Sequence, residues 1–160
     1  TINAQSTTRE PKNSEAKVLH QKVILEAKLN GDKFQSGMPV ELTLKVRNKA
    51  NLTVVLFDAE PTRGFDITIR DANGLNLPLT EEGKKRKYPI NIVRRETVFL
   101  EPGKELILNN IRLDRLFDLT NAHGYTLTVG RNYYLQDIHG KNQFLEKDAF
   151  LTSSVKFNIK

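Results

Sequence analysis

Apolar and polar residues alternate one by one through much of this chain, and this period of two constrains the fold more than any other feature of the sequence. In the segment 40–47 the even positions are apolar and the odd positions are polar. The same alternation recurs in 23–29, 65–69, 125–129 and 151–159. Because successive side chains of a strand point to opposite faces of a sheet, the pattern predicts half-buried β-strands.

Turn-forming residues separate the predicted strands. At Pro102 and Gly103 the proline presets φ and the glycine supplies the positive φ of a type II turn, so we assign both a structural role. Residues 52–57 are apolar on both faces and predict a central strand. Residues 112–119 are the one segment expected to be helical, as a short turn that crosses between sheets. With a further strand expected at 75–79, the pattern predicts an all-β fold, an immunoglobulin-like antiparallel β-sandwich of seven or eight strands.

The length of 160 residues fits one domain. Residues 1–17 hold Ile2 as their only large apolar side chain, so we expect a disordered tail or linker, followed by the sandwich over 18–160. The chain begins at Thr1, which fits either a fragment or a protein whose targeting peptide has been removed. A polar leader before a β domain is typical of an exported protein. We therefore expect an extracytoplasmic location: periplasmic, secreted or attached to the cell surface.

The stretch 100–129 resembles a recurrent element of bacterial immunoglobulin-like domains. It runs as a strand, a Pro-Gly turn, a strand, a short crossover containing Asp, and a Gly-Tyr pair that opens the next strand. The resemblance implies that Tyr125 is the tyrosine of a corner, with its ring in the core and its hydroxyl bound to the preceding connection. The order of these pieces is similar to that of the bacterial intracellular proteinase inhibitor domain, and also to β domains that accompany secreted enzymes. No inhibitory-loop signature is present to be carried over.

The whole net charge of +6 resides in the window 84–95. We expect this window to be a long connection between strands. As a cationic loop it would bind polyanions, whereas as a charged edge it would only deter aggregation between strands. Its basic residues, the predicted anion-binding set, are Lys84, Lys85, Arg86, Lys87, Arg94 and Arg95.

The connection 131–148 is more apolar than a plain surface loop requires. Aromatic residues with polar neighbours at the end of a sandwich are typical of recognition loops. The alternative is that these residues pack back over the sandwich as a small satellite core. The predicted contact residues are Tyr133, Tyr134, Ile138, His139 and Phe144.

Several kinds of chemistry are disfavoured by what the sequence contains. There is no cysteine, which rules out disulfides, thiolate nucleophiles and cysteine-ligated metals. His20, His123 and His139 lie in unrelated segments and in no metal-binding spacing. Ser153 and Ser154 lie inside a predicted strand rather than in a nucleophile elbow. We therefore expect no enzyme activity, no cofactor and no metal, and no apolar run is long enough to span a bilayer.

These observations favour a non-catalytic binding or accessory module of an exported bacterial protein. Its expected partner is a protein or an anionic polymer of the cell envelope, and nucleic acid is not expected. One alternative is a proteinase inhibitor, with the basic residues of 84–87 offered to a trypsin-like enzyme. The other alternative is polyanion binding through the basic window, whose affinity would fall steeply with salt.

Overall fold

The computed structural model describes residues 22–91, 93–121, 123–137, 139–140, 142–143 and 150–160. The tail predicted over 1–17 lies outside the described residues. Within them the chain forms eleven strands and three short helices. The strands are β1 (Val23–Leu29), β2 (Lys33–Phe34), β3 (Glu41–Asn48), β4 (Thr53–Leu56), β5 (Asp66–Arg70), β6 (Val98–Leu100), β7 (Glu105–Arg112), β8 (Gly124–Asn132), β9 (Tyr134–Gln136), β10 (Asn142–Gln143) and β11 (Phe150–Ile159). The helices are α1 (Pro61–Gly64), α2 (Glu81–Lys87) and α3 (Leu113–Leu116).

Two sheets form the body of the sandwich. One has the order β1-β3-β7 and the other has the order β2-β11-β8-β5. All of their pairings are antiparallel except that of β2 with β11, which is parallel. In immunoglobulin nomenclature β1, β3 and β7 are strands A, B and E, and β5, β8 and β11 are strands C, F and G. The predicted immunoglobulin-like all-β sandwich is therefore confirmed.

Alternation along the strands builds the core between these sheets. The buried faces of β3 and β8 meet there, and Leu42 and Leu127 are fully buried. The ring of Tyr125 stacks on that of Phe157 with centroids 5.5 Å apart. Its hydroxyl donates a hydrogen bond of 3.0 Å to the carbonyl of Asn121, which is the geometry of a tyrosine corner.

The connections differ from the predictions in two places. The segment 75–79 is not a strand and makes only isolated bridges, because the Asp71 carboxylate accepts from backbone N–H groups at 73 and 75 and Pro78 has no N–H to donate. The expected crossover helix is present as α3, but α1 and α2 were not predicted. In α1, the side chain of Glu60 caps the first turn and Pro61 occupies its first position.

A third, smaller sheet with the order β10-β9-β4-β6 extends the sandwich at one end. The predicted central strand is confirmed, because β4 lies between β9 and β6. The sheet is built from the connections that follow strands B and F and from the strand that precedes E. In antibody variable domains the connections at this end carry the recognition loops. Among the described residues, no helix has the length and apolar character to cross a membrane.

Candidate binding site at the end of the sandwich

The small sheet carries apolar side chains on both of its faces. On the inner face Val54, paired with Leu100 and Leu135, belongs to the hydrophobic core. On the outer face the register places Tyr134 and Phe99 on either side of Val55.

Two aromatic side chains, Tyr134 and Phe99, flank Val55 on the outer face, and the register places Thr53 and Gln136 on the same face. Val55 is almost completely buried, whereas Phe99 is 58% exposed and Phe57 is 45% exposed. The rings of Phe57 and Tyr134 meet edge to face, with centroids 5.0 Å apart and planes at 71°. We call Phe57, Phe99 and Tyr134 the aromatic face.

Tyr133, one of the predicted contact residues, is buried. It is only 2% exposed and packs in the hydrophobic core, so its ring is not available to a partner. The reason is the period of two: position 133 continues the inward-facing series of β8, and position 134 faces outward. Burial also raises the pKa of the Tyr133 hydroxyl. For this residue the satellite-core alternative describes the structure better than the recognition-loop interpretation.

The other predicted contact residues divide between the described and undescribed parts of the chain. His139 is exposed in a turn in which its backbone N–H donates to the Asp137 carboxylate at 2.9 Å. Gly140 closes the turn with a positive φ of 73°. Ile138 and Phe144 lie outside the described residues.

An open cleft of about 1140 Å³ lies beside the aromatic face and shares Phe57 and Tyr134 with it. Its walls come from α1, from the end of β8 and from residues within 87–91 and 93–97. We call this the apical cleft. Its charged lining residues are Asp58, Arg63, Asp66, Lys87, Arg95 and Arg131.

Arg131 is a buried arginine that fixes the base of the apical cleft. Only 5% of the residue is exposed, and its guanidinium donates to the carbonyls of Phe57, Asp58 and Gly64. A Cβ at position 64 would overlap the Asp58 carbonyl and the Arg131 guanidinium, so only glycine fits there. The guanidinium also lies 5.1 Å from the centroid of the Phe65 ring. Burial lowers the pKa of Arg131, and the charges of Asp58 and Asp66 oppose that change.

Asp58 links the base of the cleft to its rim. It has a positive φ of 56°, which is uncommon for a residue other than glycine. Its carboxylate accepts two hydrogen bonds from Arg63, at 3.0 and 3.2 Å, and lies 3.9 Å from Arg95. Burial would raise the pKa of Asp58, but the hydrogen bond and charge of Arg63, with a smaller effect of Arg95, hold it below its usual value.

The basic window is not the loop that was expected. Its first four residues, Lys84 to Lys87, form the C-terminal part of α2. Thr80 caps the helix by accepting a hydrogen bond from the N–H of Gly83. Two acidic residues lie in the first turn and the basic residues lie in the last turn, which is the favourable arrangement for the helix dipole. Lys84 pairs with Glu81 and Arg86 with Glu82, both at 2.9 Å.

Within the part of the chain that the structure describes, the remaining basic residues of the window form no ion pair as close as these two. Lys85 is exposed on α2, and Arg94 is exposed in the irregular segment that follows the helix. Lys87 and Arg95 line the apical cleft. The window therefore contains two bases in ion pairs on α2, two bases that line the apical cleft, and two exposed bases, Lys85 and Arg94, that do neither.

The described residues hold no group of three His, Asp or Glu side chains that could bind a metal ion. Arg131 and the cleft were missed by sequence reasoning. A signal for Arg131 was nevertheless present, because it occupies the inward-facing parity of its strand, where a charged residue is unexpected.

No protein-family model matches the chain, and no curated protein matches it by sequence. Among solved structures it is similar to the CARDB domain of a Pyrococcus furiosus protein, crystallised in complex with di-metal ions, with 14% identity over 86% of this chain and 87% of that chain and a TM-score of 0.41. The solution structure of that CARDB domain gives 14% identity over 86% and 94% of the two chains and a TM-score of 0.43. A cohesin module of a family 33 glycoside hydrolase from Clostridium perfringens gives 17% identity over 86% and 96% and a TM-score of 0.28. The fold of this chain is assigned from its own strand order.

Proposed function

We propose that this chain is a non-catalytic binding module that contacts its partner through the aromatic face. The observation that carries the proposal is the row of Tyr134, Val55 and Phe99 on the outer side of the small sheet, with Phe57 packed against Tyr134. Phe57 and Phe99 are exposed and Tyr134 is half-buried, and aromatic side chains are enriched in protein interfaces. The exposed turn at His139 belongs to the same proposal, as do Ile138 and Phe144.

The proposal includes an extracytoplasmic location and a bacterial source. It follows the expectation that a polar leader precedes an exported β domain, and its partner is a protein or an envelope polymer. Fractionation of cells that express the full-length gene tests the location. A cleaved chain outside the cytoplasm supports it, and an uncleaved cytoplasmic chain contradicts it.

The aromatic face is tested by retention of the domain on envelope and secreted fractions of the source organism. The test variant replaces Phe57, Phe99 and Tyr134 with serine. The matched control replaces Ile24 and Ile107 with serine. These two residues are 38% and 44% exposed on the outer side of the β1-β3-β7 sheet. We expect the test variant to lose about tenfold in affinity and the control to bind like the wild type. Equal losses in the two variants would contradict a role of the aromatic face.

A second candidate function is polyanion binding, favoured by Lys85 and Arg94, which are exposed and lie outside the two ion pairs of α2. The replacement of Lys85 and Arg94 with alanine should lower the salt concentration at which the domain leaves a heparin column. Elution that is independent of salt would remove this candidate. The inhibitor alternative has no comparable support, because Lys84 to Lys87 lie in a helix instead of an extended loop.

A further inference from the structure

The apical cleft offers two cations that the protein itself leaves largely uncompensated. Of its four basic residues, Arg63 is bound to Asp58 and Arg131 donates to backbone carbonyls. Arg95 has a 77% exposed side chain, and its guanidinium lies 3.9 Å from the Asp58 carboxylate, which is too far for a hydrogen bond. Lys87 lies 5.8 Å from the centroid of the Tyr88 ring. An anionic group in the cleft would therefore meet Lys87 and Arg95 without displacing a strong internal ion pair.

Apolar surface lies next to these cations in the same cleft. Phe57 and Tyr134 line it together with Val93 and Tyr88, and the last two residues are 37% and 66% exposed. A polymer that carries only charge would leave these rings uncovered. A ligand that covers both kinds of surface carries carboxylates and large apolar groups side by side.

The ring geometry favours side chains of a peptide over flat rings of a polymer. The planes of Phe57 and Tyr134 meet at 71°, so these two rings do not form a level platform on which planar groups stack in succession. They present an edge and a face, between which aliphatic or aromatic side chains pack well. The base beneath them is fixed by the bonds of Arg131 to the 57–64 connection, which lowers the cost of ordering the site on binding.

From these observations we infer that the apical cleft and the aromatic face together bind a peptide segment in which acidic residues lie next to large apolar ones. This inference rests on the proposed binding function and specifies its partner class. The peptide carboxylates contact Lys87 and Arg95, and its apolar side chains pack on Phe57 and Tyr134.

The test uses fluorescein-labelled synthetic ten-residue peptides and the full chain, with binding measured by fluorescence anisotropy. One peptide alternates Glu with Phe and Leu. A second has Lys in place of Glu, a third has Ser in place of the apolar residues, and heparin and polyphosphate serve as competitors. We expect the first peptide to bind at least about tenfold more tightly than the second and the third.

Two cleft variants and one matched control locate the site. The combined change Lys87→Ala and Arg95→Ala should weaken binding of the first peptide about tenfold, as should Phe57→Ser. The matched control, Lys28→Ala with Lys33→Ala, removes two exposed cations that do not line the cleft and should change binding less than about twofold. Circular dichroism spectra that match the wild type show that the variants are folded.

Three outcomes overturn the inference: equal binding of the Lys and Glu peptides, equal losses in the cleft and control variants, or tight binding of heparin and polyphosphate that is unaffected by Phe57→Ser. The last outcome assigns the cleft to a polymer. If the Glu peptide does not bind but retention of the domain on envelope and secreted fractions still requires the aromatic face, only the inferred partner class is wrong. If both fail, the proposed function falls as well.

Discussion

The strands of the sandwich body and those of the small sheet at its end distribute their apolar side chains differently. In the body, β3 directs its apolar side chains inward and its polar side chains outward. In the small sheet, β4 has Val54 and Leu56 on the core side and Val55 between Tyr134 and Phe99 on the outer side. One face of a strand is enough to attach it to the core. The exposed rings of Phe57 and Phe99 on the second face of the small sheet are the part of it that the proposed function uses.

The largest expected difference between the two regions concerns buried apolar volume. Leu127→Ala in the body should lower the free energy of unfolding by about 3 to 4 kcal/mol, because Leu127 is fully buried and the core closes only partly around the cavity. Urea unfolding followed by circular dichroism measures this loss. A loss below about 1 kcal/mol would contradict a tightly packed body.

Arg131, on β8 of the body, donates hydrogen bonds to the connection that follows β4 of the small sheet, and Arg131→Met should remove these bonds. The change leaves buried carbonyls of Phe57, Asp58 and Gly64 without their donor, at a cost of about 3 kcal/mol. We expect hydrogen exchange to accelerate over 57–65 while β3 stays protected. Arg131→Lys serves as the comparison, since it keeps the charge but cannot reach all of these carbonyls in the same geometry. Uniform acceleration across both regions would contradict a local role of Arg131 in holding the connection 57–64.

Asp58 makes the cleft region sensitive to acid. Because its folded pKa is lowered, its carboxylate stabilises the fold above the unfolded-state pKa of about 3.9, and this stabilisation disappears as the pH falls through the folded pKa. Asp58→Asn retains a residue that tolerates positive φ and should cost about 1.5 kcal/mol at pH 7. Urea unfolding at pH 7 and at pH 2 compares the two proteins. A difference that stays constant with pH would exclude the carboxylate as the cause.

A smaller loss is expected from the tyrosine corner at the far end of the body. Tyr125→Phe removes the hydrogen bond to Asn121 and should lower the unfolding free energy by about 1 kcal/mol. Thermal and urea unfolding of Tyr125→Phe is compared with that of Tyr134→Phe, which removes a tyrosine hydroxyl from the aromatic face instead of the corner. If the two variants lose equal stability, the corner has no special structural role.

The smallest stability change should come from the aromatic face itself. Phe99→Ser removes a ring that is 58% exposed and should change the unfolding free energy by less than about 0.5 kcal/mol. Its melting temperature, measured by calorimetry, should therefore stay close to that of the wild type. A large decrease would mean that the outer face of the small sheet is part of the core.

The alternation of apolar and polar residues predicts the strands of the body well, because each strand of a sandwich has one solvent-exposed face and one buried face. The same parity, followed through β8 to its end, already places Tyr133 inside and Tyr134 outside. The helix α2 was missed because Gly83 and the density of charge indicate a loop, although Thr80 and the spacing of opposite charges favour a helix. The apical cleft was not predictable, since its lining residues come from separate segments between Phe57 and Tyr134 that meet only through tertiary packing.

The path of β11 also sets the direction in which the candidate site would face when the domain is attached to a support. The strand begins beside the small sheet, where Phe150 pairs with Asn132, and runs to the opposite end, where Asn158 pairs with Gly124. Lys160 is held there by backbone hydrogen bonds to Phe34 and Ser36. Ten strand residues span roughly 30 Å. A domain immobilised through Lys160 would therefore present the aromatic face away from the support, whereas attachment near β4 would obstruct it.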